Sequence, residues 1–141
     1  MPLQMNAEEL MAYLEEVFPQ VRSDFAVDRL AEMEVDLRLK VAERHLRPGG
    51  TVSGPSMFSL ADCAVYAITL AMVGRKALAV TTNATIDFMR KPAAGADLVA
   101  RCRLLKLGRV LAVGDVLIFS EGEAAPVARA SLTYSLPPGG G

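Results

Sequence analysis

Between Gly54-Pro55 and Gly74 lies the segment that most constrains this chain. Met57, Leu60, Ala61, Ala64, Val65, Ile68, Leu70 and Met72, with their neighbours, put apolar side chains on every face of a helix, and such a helix has to be buried. Gly54 is expected as its cap with Pro55 at the first helical position, and Gly74 stops it. The rest of the chain must supply the cover. Val35, Leu37, Leu39 and Val41 alternate with Glu34, Asp36, Arg38 and Lys40, the period of a half-buried strand within 26–42. Leu30 to Met33 is expected to be its hairpin partner. Further strands are expected over 77–89, 98–107, 110–119 and 127–136, with turns at Pro92 to Gly95, Gly108 and Glu121 to Glu123. Upstream, Asn6 with Glu9 three residues on signals a capped amphipathic helix that ends before Pro19. Helix, two short strands, buried helix, four strands: the order predicts an α+β fold, a curved antiparallel sheet wrapped around one long central helix.

A chain of 141 residues suits one domain over 1–141, with the N-terminal helix at about 7–18 and a loose tail at about 137–141. The formal net charge of −1 argues against a nucleic-acid partner, which needs a basic face. Glu8, Glu9, Glu15 and Glu16 give the N-terminus the wrong charge for a signal or transit peptide, and the apolar run Ala64 to Val73 is short for a bilayer. A cytoplasmic location with no membrane partner is therefore expected. Cys63 and Cys102 read as core residues, and His45, the one histidine, as a solvated residue of a charged loop. A metal site would need more ligands than these.

Asp62 is the residue that points to chemistry, because it interrupts an otherwise apolar helix. A carboxylate there needs a distant partner such as Arg90, an exposed position at a kink, or a functional role facing a ligand. The start of the same helix, Ser53-Gly54-Pro55-Ser56, offers N–H groups to a developing oxyanion; Pro55 has none, which leaves Gly54 and Ser56. Asp62 and Gly54 are separated by roughly 12 Å at ~1.5 Å per residue. One carbonyl needs both groups within about 3 Å. A single helix cannot provide that, whereas two antiparallel copies can, so a catalytic pair would belong to a dimer.

These features occur in a recognisable order. Val52-Ser53-Gly54, Leu60-Ala61-Asp62, the run Thr81 to Arg90, Gly95, Gly108-Arg109 and Ala130 to Tyr134 resemble the PaaI-like branch of the hotdog acyl-CoA thioesterases, from Arg47 to Tyr134. The resemblance implies a hotdog fold, homodimers sharing one continuous sheet or dimers of dimers, and hydrolysis of an acyl-CoA thioester. Coenzyme A would enter only as part of the substrate, with no other cofactor and no metal. Asp62 then matches the helix carboxylate, general base or nucleophile, and Gly54 the glycine whose N–H binds the thioester oxygen. Thr81 falls near the hydroxyl residue that positions water. Ser53, Ser56, Arg47, Asn83, Arg90, Lys91 and Arg109 are the candidate substrate-binding residues, with Arg90, Lys91 and Arg109, together with Lys106, as the cations for CoA phosphates. Relatives commonly carry His-Gly-Gly where this chain has Ser53-Gly54-Pro55, and an Asn or Gln near Arg47. That departure supports a second reading, a non-catalytic acyl-CoA binding protein. A hydratase ranks last, since it needs a histidine near the acid and position 67 is Ala67.

Overall fold

The computed structural model describes residues 2–19 and 21–138. Its elements are α1 (Ala7–Val17), α2 (Val21–Asp24), β1 (Phe25–Ala31), β2 (Glu34–Leu39), α3 (Gly54–Val73), β3 (Val80–Phe88), β4 (Leu98–Leu107), β5 (Leu111–Ser120) and β6 (Pro126–Ser135), with a 3-10 turn at Glu43–His45. Six antiparallel strands form one sheet in the order β1-β2-β4-β5-β6-β3. Its inner face closes on α3, which is the hotdog arrangement. Val35, Leu37 and Leu39 of β2, Leu98 and Ala100 of β4, Val116 and Ile118 of β5, and Leu132 of β6 are all buried in one core with the helix. The alternating outward positions carry the charges.

Local chemistry starts and stops these elements. Asn6 and Glu9 form a reciprocal capping box, with the Glu9 N–H donating to Asn6 Oδ1 at 2.8 Å and the Asn6 N–H to Glu9 Oε1 at 3.0 Å. Leu10, Tyr13 and Leu14 then bury one face of α1. On α3 the cap is Ser53 rather than Gly54, its side chain accepting the Ser56 N–H; Gly54 is the first helical residue and Pro55 the second. Gly74 ends the helix at φ 93°. α3 is longer than the apolar run suggests. Its 20 residues include a window of mean hydropathy 1.6, enough by length and composition to cross a membrane, but 67% of that window is buried inside this fold.

Two expectations are corrected. The partner of β2 is Phe25–Ala31, and Glu32-Met33 is the turn, with Met33 at φ 65°. The turn is held from outside, because the Leu104 N–H donates to the Met33 carbonyl at 2.8 Å. His45 is buried, not solvated. Its Nδ1 accepts the Ala42 N–H at 2.8 Å and its Nε2 lies 3.1 Å from Asp24 Oδ1, so both ring nitrogens are engaged in shaping the loop before α3. Of the expected tail, residues 139–141 lie outside the described residues, while Pro137 and Pro138 have no regular structure.

Sheet and helix pack tightly at Gly114 of β5, where a Cβ would stand 2.8 Å from Val65 Cγ2 and 3.0 Å from Cγ1. Gly114→Ala is expected to cost about 1–3 kcal/mol of stability. Chemical denaturation reads this, and adding Val65→Ala should restore part of the loss. Cys63 and Cys102 are buried as expected. Burial, then the charges of Asp62 and Asp24, pushes the Cys63 thiol up to about 12, and burial pushes Cys102 higher still. Only a thiolate is reactive. The folded protein is therefore expected to be silent to a disulfide thiol reagent at pH 8, with both thiols titrating in guanidinium.

Candidate active site

Although α3 is apolar on nearly every face, it is not covered on every face. Ser59 is exposed and Asp62 and Tyr66 are half-buried, and they follow one another at helical spacing along a single stripe. Asp62 is therefore at the rim of the core rather than inside it, and Arg90 is not its partner. Two hydroxyls meet Asp62 Oδ1: Thr81 Oγ1 donates at 2.7 Å and the Tyr134 OH at 2.8 Å. The same Tyr134 oxygen lies 3.1 Å from the Asp62 carbonyl. Burial, then the Asp62 charge, pushes the Tyr134 phenol above its ordinary value, so it stays protonated and donates. Asp62 Oδ2 has no hydrogen-bond partner among the described residues.

Beside this carboxylate is a pocket of about 350 Å³. Val17 and Phe18 at the end of α1 form one wall, and Tyr66, Ala77, Ala79 and Val80 much of the rest. Among the described residues, Asp62 is the one charged side chain lining it. Such a cavity suits an uncharged apolar group with its reacting end at the carboxylate.

The N-terminus of α3 opens on a different pocket, about 570 Å³. Here Gly54, Met57 and Phe88 meet Arg47, Arg90 and Lys91, and no acidic residue lines the cavity among the described residues. The Gly54 backbone abuts the Phe88 ring so closely that a Cβ would lie 3.2 Å from Cζ. Arg90 is placed just after β3 by its N–H, which donates to the Val127 carbonyl at 3.1 Å. Three cations at the positive end of a helix make a site for an anion such as a phosphate.

The structure thus joins Asp62 to Thr81, and Gly54 to Arg47, Arg90 and Lys91, at two separate places on one chain. Ser53 and Ser56 go to neither. The Ser53 side chain accepts the Ser56 N–H at 3.3 Å and its hydroxyl donates to Ser56 Oγ at 3.0 Å, so Ser56 is no free oxyanion donor. Asn83 pairs with Thr133 on the exposed edge strand, outside both pockets. Arg109 lies in the β4–β5 turn, at the opposite end of the sheet from Arg90. Tyr134 and Tyr66 were missed by sequence reasoning. Their rings stack at 5.8 Å and 28°. A signal existed: strand parity puts Tyr134 inward with Leu132, and an inward phenol needs a polar partner.

Comparison with known proteins bears on the fold and the family. The thioesterase superfamily model matches residues 49–127. A crystal structure from Silicibacter sp., described as a candidate thioesterase, shares 65% identity over 98% of this chain and 96% of that one, with a TM-score of 0.93. A variant of the phenylacetic acid degradation protein PaaI from Thermus thermophilus shares 30% identity over 83% of this chain and 97% of that one, at 0.71. A Streptococcus mutans protein bound to acetyl CoA has the same fold, at 22% identity over 81% and 89% of the two chains and a TM-score of 0.72. The search of curated proteins gave no match. With more than half of its length matched by the family model, this chain belongs to the thioesterase superfamily.

Proposed function

We propose that this protein hydrolyses an acyl-CoA thioester at a site built from two copies of the chain. One observation carries the reading: a half-exposed carboxylate, Asp62, is held on one oxygen by two hydroxyls and has its other oxygen free beside an apolar pocket. That pocket suits the acyl group. Arg47, Arg90 and Lys91 suit CoA phosphates, a reading in line with the acetyl CoA held by the Streptococcus mutans relative.

The edge of the sheet supports the shared site. β3 is an edge strand with Val80 and Phe88 exposed, a template for pairing with a second strand. A twofold antiparallel pairing of two β3 strands, centred between Ala84 and Thr85, would set Thr81 opposite the partner subunit's Phe88. Asp62 lies beside Thr81 and Gly54 beside Phe88. The same pairing therefore brings Asp62 towards Gly54 of the partner subunit, which is what the helix length forbids within one chain. It also brings the Arg109 end of one sheet towards the Arg90 end of the other.

Hydrolysis follows from these placements. Asp62 Oδ2 takes a proton from water as the water oxygen bonds to the acyl carbon, or Oδ2 attacks first and water opens the resulting anhydride. In both routes charge collects on the thioester oxygen, which the Gly54 N–H holds. The C–S bond breaks as that charge collapses, and the CoA sulfur leaves and takes up a proton; in the second route this is the step that yields the anhydride, before water opens it.

Asp62→Asn is expected to lower thiol release from acetyl-, octanoyl- or benzoyl-CoA by about 100-fold or more. Gly54→Pro removes the donor and should also inactivate the enzyme. Heterodimers of the two variants, isolated through two different tags, should regain about half the activity of the wild type, since one of their two sites is intact. No recovery would place both groups in one chain. Acyl-CoA binding without turnover in the wild type would favour a non-catalytic binding protein, the reading that the Ser53-Gly54-Pro55 departure supports.

A further inference from the structure

A carboxylate offers two equivalent oxygens unless its surroundings distinguish them. At Asp62 they do. The Thr81 and Tyr134 hydroxyls both end on Oδ1, and they come from residues directly opposite each other on β3 and β6. Thr81 stands on an exposed edge, whereas Tyr134 is buried, with 4% of its surface accessible. The Tyr134 ring stacks on Tyr66, which is itself tied down by its OH donating to the Ala77 carbonyl at 2.7 Å. Tyr134 also reaches the Asp62 carbonyl at 3.1 Å, so one phenol contacts both the backbone and the side chain of the same helical residue. That double contact fixes the side chain relative to the helix.

Resting on the thioesterase reading above, we propose that Tyr134 is a positioning residue for the hydrolysis. With Thr81 it withdraws Oδ1 from the reaction and aims Oδ2 into the acyl pocket. The Thr81 hydroxyl, having given its proton to Asp62, keeps lone pairs that can accept from the attacking water. Tyr134 also lines the pocket, but its hydroxyl is committed to Asp62 and it acts through that residue. Its contribution is angular: a carboxylate free to turn about its last bond would present the attacking oxygen in the productive direction only part of the time.

The test is Tyr134→Phe, which keeps the ring and its stack and removes only the hydroxyl. For the best substrate among acetyl-, octanoyl- and benzoyl-CoA, kcat is expected to fall about 10- to 100-fold, the effect of losing a hydrogen bond to a charged group. KM, and the affinity for the S-octyl thioether of CoA, which lacks the reacting carbonyl, are expected to stay within about threefold. Unchanged kcat in Tyr134→Phe, alongside an inactive Asp62→Asn, would overturn the assignment and leave the thioesterase reading standing. A parallel fall in kcat, thioether affinity and thermal stability would overturn it too, as the mark of a purely structural tyrosine. No turnover in the wild type would overturn both.

Discussion

Everything in this structure depends on keeping α3 out of water. The helix has too little polar surface to lie on the outside of the fold, and the sheet curls until nearly all of it is covered. Gly114 allows a close approach of β5 to the helix, since any side chain there would meet Val65. Coverage ends at one stripe, through Ser59, Asp62 and Tyr66, next to the edge strand β3. A charged group survives on this helix only along that stripe, because there it keeps access to water and to the hydroxyls of β3 and β6. The position of the carboxylate is thus a consequence of where the wrap stops.

The length of the helix then dictates the rest of the site. A helix long enough to fill the core puts its N-terminus well beyond the reach of a carboxylate eight residues along it. Each end collects its own surroundings: cations and a glycine at one, apolar walls and two hydroxyls at the other. The same division suits a substrate with a charged carrier at one end and an apolar group at the other. The twofold axis proposed through the β3 edge would close the gap, and it would produce two equivalent sites.

Much of this was legible in the sequence, for identifiable reasons. Period-two alternation in Glu34 to Leu39 and the apolar cylinder of α3 are strong signals, as each is repeated over many residues. Asp62 stood out because it broke such a signal. The β1–β2 turn was not legible, since Glu32-Met33 contains no turn-forming residue and is held by β4 instead. His45 was misread for a related reason. Its charged neighbours Glu43 and Arg44 suggest solvent, but Asp24, 21 residues earlier, supplies the partner that lets it be buried. Tyr134 lay between these cases: its inward parity was visible, and its partnership with Asp62 was not, because no local rule joins a strand to a helix 72 residues away.

The departure from His-Gly-Gly at the start of α3 has a physical meaning that the geometry makes plain. A helix begins with several unpaired N–H groups, any of which can bind water or a stray anion. Here Pro55 has no N–H, the Ser56 N–H is capped by Ser53, and the Met57 N–H reaches the Ser53 carbonyl at 3.1 Å. Among the described residues of this turn, Gly54 is left as the single free donor, at the positive end of the helix dipole and lining the cationic pocket. Its lack of a Cβ lets Phe88 pack over it and shape the approach. Where a histidine and a second glycine are exchanged for a serine cap and a proline, the first turn becomes stiffer and its hydrogen-bonding capacity narrows to one atom. An oxyanion needs one well-aimed donor more than several loose ones, because alignment already present before reaction costs nothing as charge develops.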